Sequence, residues 1–224
     1  MIYKIALDGP SGAGKSSLAK RIAKELGIVY VDTGAMYRTV GLAVKRRGIE
    51  PADEAAVIAA LPEIHLSIVF SDGEQHILLG DEDVGGLIRT PEISMAASRV
   101  SAIPAVRAFL LDTQRDLAKS TSVIMDGRDI GTVIFPDAEV KIFLTASAEA
   151  RARRRTAELA EKGMPTPYEE VLRDIITRDK NDREREIAPA VAAPDAILLD
   201  NSELDLEGTV TEALRIIRSR TEEA

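Results

Sequence analysis

Apolar and polar positions alternate along this chain of 224 residues in two different rhythms. Residues 2–7 are almost continuously apolar and partly β-branched, and Gly-Pro-Ser-Gly follows at once, which predicts a buried strand running into a loop. From Lys15 to Leu26 the apolar positions Leu18, Ala19, Ile22, Ala23 and Leu26 fall on one face of a helix, with Gly27 placed to close it. A second strand is predicted over 28–31 and a second helix over 35–47, ended by Gly48. Strand followed by helix, repeated, is the rhythm of an α/β fold.

The rhythm changes between Pro62 and Val84. Two short alternating runs, 65–70 and 75–79, flank Ser71-Asp72-Gly73 and predict a hairpin with an Asp-Gly turn, a small antiparallel insert. Thr90-Pro91-Glu92 has the form of a helix start with proline at the first position, and another helix is expected over 104–119. Strands over 123–125 and 140–144 restore the α/β pattern. Ser147-Ala148-Glu149 opens a charged helix, Met164-Pro165-Thr166-Pro167 interrupts it, and a helix resumes to about Lys180. A linker over 188–194 leads to a last strand over 196–199 and a last helix over 206–219. There is no internal repeat.

Composition narrows the class. With 45% hydrophobic and 29% charged residues the chain is globular, and its length is that of one domain. The absence of cysteine excludes disulfides, thiolate metal sites and a cysteine nucleophile. The first apolar stretch is too short for a signal peptide and no run reaches the ~20 residues of a membrane span, so a cytoplasmic protein without a membrane partner is expected. A net charge of −8 argues against a nucleic-acid partner held by general attraction. Yet the basic residues are twenty arginines against nine lysines, and arginine's planar fork suits phosphate and carboxylate.

Gly9-Pro10-Ser11-Gly12-Ala13-Gly14-Lys15-Ser16 matches G-x-x-x-x-G-K-[ST] between a predicted strand and a predicted helix, the setting its mechanism requires. Glycines let backbone N–H groups close around phosphate oxygens, the helix N-terminus adds positive potential, and Lys15, expected in an exposed loop, neutralises β and γ phosphates. Residues 9–17 are thus the expected ATP contacts, with Ser16 or Ser17 as the hydroxyl for Mg²⁺. Chance would produce such a match in about one chain in a hundred of this length. Asp126 ends the apolar run Val123-Ile124-Met125, where a carboxylate can serve the Mg²⁺ shell. Gly127, Arg128 and Asp129 follow at the carboxyl end of that strand, where open α/β sheets bind ligands, although an ordinary turn would read the same. Arg151, Arg153, Arg154 and Arg155, then Arg178, Arg183 and Arg185, lie among equally many acids. Two readings are expected to hold for different members of the set: a solvated face of ion pairs, and a mobile segment that closes over transferring phosphates. His65 and His76 have no metal-ligand spacing and receive no role.

Asp8–Lys15, Asp32-Thr33-Gly34-Ala35-Met36-Tyr37-Arg38, Asp126 to Val133 and Arg178-Asp179-Lys180-Asn181-Asp182-Arg183 together resemble the bacterial cytidylate kinases over nearly the whole chain and in the right order. The resemblance implies a single P-loop nucleoside monophosphate kinase domain over 1–224, with a parallel five-stranded sheet flanked by helices. A small β-containing insert over 62–100 would belong to its monophosphate-binding part, and 150–186 would be a helical lid. It implies that Arg38, Arg128 and Arg185 hold the acceptor's phosphate, that Ser98, Arg107 and Asp129 face cytosine, and that Thr33, Arg178 and Asp182 surround the sugar. Lys15, Arg128 and Arg185 would carry catalysis, acting as a monomer on ATP and CMP or dCMP. Thr33 stands where the family usually has serine, and Ser16-Ser17 replaces Gly-Thr. The first leaves ribose against deoxyribose preference open, the second which serine serves the metal.

The reaction expected is ATP + CMP → ADP + CDP. Competing readings are a P-loop kinase for another small acceptor such as UMP or shikimate, a P-loop GTPase, and an RNA-binding protein. The GTPase would want Asn-Lys-x-Asp, which does not occur, and eight Phe and Tyr residues with no Trp give RNA few stacking platforms.

Overall fold

The structure, a computed structural model, describes residues 2–71 and 74–221, so the Asp72-Gly73 turn lies outside the described residues. In chain order the elements are β1 (Lys4–Asp8), α1 (Lys15–Leu26), β2 (Val29–Asp32), α2 (Thr33–Arg46), α3 (Glu54–Ala60), β3 (Leu66–Ser71), β4 (Glu74–Leu79), β5 (Glu82–Asp83), α4 (Pro91–Val100) and α5 (Pro104–Asp116). They continue with β6 (Val123–Gly127), a π-helical turn (Ile130–Ile134), β7 (Val140–Thr145), α6 (Ala148–Glu161), α7 (Tyr168–Glu184), β8 (Ile197–Asp200) and α8 (Leu206–Thr221). Five strands form one all-parallel sheet in the order β2-β6-β1-β7-β8, and three form the antiparallel sheet β3-β4-β5. The chain divides into two compact units, one made of the residues up to Ile28 and from Ser122 onward, the other of Val29–Thr121.

In the first unit β1 is the pivot. Ile5, Ala6 and Leu7 are fully buried, and β1 lies between β6 and β7, with Asp8 opposite Gly127 on one side and Phe143 on the other. Strand order reverses at β1, so the crevice beyond its carboxyl end is the position where such sheets bind ligands. α1 forms over the predicted span and buries Leu18, Ala19, Ile22 and Ala23, and Gly27 ends it with a left-handed φ of 64°. α6 and α7 pack on each other through a small cluster of their own, Ala152, Leu159, Val171 and Ile175. α7 runs to Glu184 rather than stopping near Lys180, because nothing in Asn181-Asp182-Arg183 breaks a helix.

The second unit is organised by α2, whose N-terminus is capped by Asp32 accepting from the Ala35 amide. Thr90 caps α4 in the same way, with Pro91 at the first turn as expected. α2 packs on α4 at Gly41, where a Cβ would come within 3.1 Å of the Ala97 nitrogen and 3.2 Å of the Ala96 Cβ. Among the α-helices and β-strands, two were not anticipated from the pattern. The seven residues of α3 are too few for a helical periodicity, and the two of β5, both acidic, carry no strand signal at all.

Gly41→Val should drive α2 and α4 apart and cost about 1–3 kcal/mol, the usual range for overpacking a close contact. A urea unfolding midpoint equal to that of the parent protein would contradict this packing.

Candidate active site

The loop after β1 is shaped by where its carbonyls are held. Gly9 has φ 146°, and a Cβ there would lie 2.0 Å from the Leu144 carbonyl oxygen, so only glycine fits. The Pro10 carbonyl accepts from Lys15 Nζ at 2.7 Å, that of Ser11 from Arg151 Nη1 at 3.0 Å, and that of Ala13 from Asn201 Nδ2 at 3.0 Å. Three carbonyls of the loop are thus engaged by side chains, and no side chain caps the N-terminus of α1. Lys15 is buried, with 6% exposure, not exposed as the loop position led one to expect. Burial pushes its ammonium well below the usual lysine range, and the like charge of Arg128 adds to this while Asp126 opposes it.

Ser16 Oγ donates to Asp126 Oδ2 at 2.8 Å, whereas Ser17 is exposed, so Ser16 is the hydroxyl that meets the strand-end carboxylate. Among the described residues no three His, Asp or Glu side chains gather as a metal site. One hydroxyl and one carboxylate fit Mg²⁺, a hard ion that takes a few protein oxygens and fills its shell with phosphate and water.

Beyond β6, Arg128 donates from Nε to Asp182 on α7 at 3.0 Å and from Nη1 to the Gly127 carbonyl at 3.1 Å. Arg185, at the end of α7, donates from Nε to the Ala188 carbonyl at 2.6 Å, and its Nη2 lies 3.7 Å from Asp129 Oδ1. Arg178 lies near enough to Lys15 to repel its charge. The first unit thus brings together Lys15, Ser16, Asp126, Arg128, Asp129, Arg178, Asp182 and Arg185. At the start of α6, Arg151 donates to the Ala146 and Ser11 carbonyls and to Asp179, Arg154 to Asn201 and Leu204, and Arg155 to Glu158.

Asp8 completes this edge. Its carboxylate accepts from the amides of Ile130 and Gly131, both at 2.8 Å. Burial, helped by the nearby Asp129 charge, pushes its carboxyl up to about 6, against those two amides and Lys15, which favour the ionised form.

The second unit gathers the other expected residues around α2. Thr33 is its first residue and buried, and Arg38, one turn on, donates from Nη2 to Asp32 Oδ2 at 2.8 Å. A Cβ on Gly34 would be 2.9 Å from Arg38 Nη1, so this glycine makes room for the guanidinium. Gln75 bridges the Asp32 backbone, accepting from its amide and donating to its carbonyl. The buried Arg107 of α5 lies 5.6 Å from the Tyr37 ring centre and donates to the Ser101 carbonyl, and Ser98 is half-buried on α4. Asn201 and Gln75 carry no sequence signal, apart from the position of Asn201 just past a strand end, because their work is done on backbone groups.

The sequence model of the family described as "Cytidylate kinase" matches residues 5–219. The chain belongs to the cytidylate kinase family. The chain is 49% identical over 214 residues to the Cytidylate kinase of Carboxydothermus hydrogenoformans, covering 96% of each. To that of Mycolicibacterium paratuberculosis it is 47% identical over 222 residues, covering 98% of this chain and 97% of the relative. Among solved structures, the shikimate kinase of Bacteroides thetaiotaomicron superposes with a TM-score of 0.51 at 14% identity, over 97% of this chain and 99% of that one, a likeness of fold. Within the cytidylate kinase frame, the alternation of strand and helix and the antiparallel insert stand as expected.

Because Asp8 has a raised pKa, the folded state holds its proton more tightly than the unfolded state does. This carboxyl therefore favours folding most below about pH 4, and the benefit is lost as pH rises through about 6. The stability difference between the parent and Asp8→Asn should shrink by up to about 3 kcal/mol over that window. A difference flat with pH in denaturant titrations would show that Asp8 titrates normally.

Proposed function

We propose that this protein is an ATP-dependent kinase that transfers the γ-phosphate of ATP to CMP, and to dCMP, giving ADP and CDP or dCDP. One observation carries the reading: the family match spans residues 5–219, and so takes in the phosphate loop and every residue assigned to the acceptor. A nonbridging oxygen of the CMP phosphate attacks the γ phosphorus, the bond to the ADP oxygen breaks, and ADP leaves with the electron pair. The attacking oxygen is already ionised at neutral pH, so no general base is needed and the protein's work is positioning and charge neutralisation.

On this reading the amides of residues 9–17 cradle the ATP phosphates, and Lys15 neutralises the charge passing to the leaving group. Ser16 and Asp126 would hold Mg²⁺, which would supply further positive charge beside the phosphates. Arg38, Arg128 and Arg185 grip the acceptor phosphate; Thr33, Arg178 and Asp182 lie about its sugar, and Ser98, Arg107 and Asp129 read the base. Residues 150–186 serve as a lid, and the independent apolar cluster of α6 and α7 suits a part that moves as a body. Residues 62–100 belong to the monophosphate-binding part. A monomeric, cytoplasmic enzyme is part of the same proposal and rests on the family resemblance.

A panel of ATP with CMP, dCMP, UMP and shikimate, and of GTP alone, tests the activity, and transfer to any acceptor better than to CMP or dCMP refutes it. Lys15→Met should lower turnover by orders of magnitude while leaving the melting temperature unchanged or raised, since it removes a buried cation and keeps the side chain's length. Activity within a few-fold of the parent would remove Lys15 from the chemistry.

Cytosine carries an amine donor where uracil carries a carbonyl acceptor, and an ionised Asp129 accepts from the first but opposes the second. Asp129→Ala should therefore lower kcat/KM with CMP far more than with UMP. Equal losses on both acceptors would mean that Asp129 serves only to hold Arg185.

A further inference from the structure

Asp129 occupies the N-cap position of the π-helical turn Ile130–Ile134, yet its side chain caps nothing there. An aspartate at such a position ordinarily accepts from the amide of the second or third residue of its turn, here Gly131 or Thr132. The Gly131 amide, and that of Ile130 before it, are instead taken one by each oxygen of Asp8, from a strand more than a hundred residues earlier. The rest of the turn closes normally, with the amides of Val133 and Ile134 on the Asp129 carbonyl and that of Phe135 on the Ile130 carbonyl. The turn also lies flat on the sheet: a Cβ on Gly131 would be 3.2 Å from Lys141 Cδ and 3.5 Å from the Ala6 Cβ.

We infer that Asp8 is a positioning residue for acceptor recognition, capping the Ile130–Ile134 turn in place of Asp129 so that the Asp129 carboxylate is held away from its own backbone and presented to the base. The inference rests on the proposed base-reading role of Asp129. Its reach extends to the donor side, because the next residue is Gly9, where a Cβ would lie 2.0 Å from the Leu144 carbonyl oxygen and only glycine fits. One side chain thus ties the start of the phosphate loop to the turn that carries Arg128 and Asp129. Lys15 and Asp129 are the charged groups that act on Asp8 across this edge, and the opposing amides complete its surroundings.

The test is the ratio of kcat/KM for CMP to that for UMP in the parent, Asp8→Asn, Asp129→Ala and the double variant. Asn keeps one accepting oxygen and turns an NH₂ toward the second amide, donor against donor. Because both acceptors are measured on one preparation, a reduced active fraction cancels from the ratio. A residue that merely stabilised the fold would leave it unchanged. We expect Asp8→Asn to lower the ratio by about tenfold or more, the worth of a charge-assisted hydrogen bond, and the double variant to fall no further than Asp129→Ala. If Asp129→Ala lowers the ratio and Asp8→Asn does not, the inference about Asp8 is wrong. If Asp129→Ala itself leaves the ratio unchanged, the base-reading proposal fails, and this inference with it. Should Asp8→Asn yield no folded protein, Asp8→Glu, which keeps the charge but displaces both oxygens by a methylene, is read by the same ratio and the same criteria.

Discussion

The site depends on storing positive charge inside a folded protein. Burial holds the Lys15 ammonium well below the usual lysine range, the like charges of Arg128 and Arg178 add to this, and Arg185 stands at the end of the same helix that bears Arg178. Two like charges about 4 Å apart repel by about 4 kcal/mol at an effective dielectric of about 20, and burial adds the loss of hydration. Such a cluster persists only because carboxylates are threaded through it. Asp182 takes Arg128, Asp129 faces Arg185, and Asp126 and Asp8 act on Lys15. A chain carrying net charge −8 while concentrating cations at one sheet edge is what this storage requires.

The carboxylates do more than neutralise. An arginine clamped by an aspartate has lost most of its side-chain freedom before any anion arrives, so the ordering cost falls on folding rather than on binding. The same construction recurs in the second unit, where Asp32 caps α2 with one oxygen and clamps Arg38 with the other. Among the described residues Arg38 Nε is buried without an acceptor, which leaves a donor for a phosphate oxygen beside a guanidinium already fixed in place.

The regular part of this arrangement could be read before the structure was known. The span of α1, its glycine cap and the proline start of α4 follow from local patterns that the tertiary structure had no reason to overrule. The phosphate motif located residues 9–17 because its chemistry needs backbone, and backbone placement leaves a trace in glycine spacing. The division of labour among side chains left no such trace. Arg151 and Arg178 are the same residue type, each on a charged helix, yet one is consumed by the Ser11 carbonyl and Asp179 while the other faces Lys15. Helical periodicity places both on faces, and only the packing of α6 on α7 decides which face meets the loop. Lys15 was misjudged for a related reason, since a loop residue is exposed on average but this one lies beneath the loop it supports.

Why arginine and not lysine dominates follows from counting donors. A guanidinium has five N–H groups in a fixed plane, and the two contacts of Arg128, to Asp182 and to the Gly127 carbonyl, engage two of them. It can grip a phosphate without releasing the aspartate that orients it. A lysine has three donors on a flexible stem, and burial lowers its pKa, as it does for Lys15. One such group is useful where the charge to be met is that of a polyphosphate cradled by backbone amides. Where the ligand is a single phosphate held in a fixed orientation, the fixed charge and the planar fork of arginine are the better instrument.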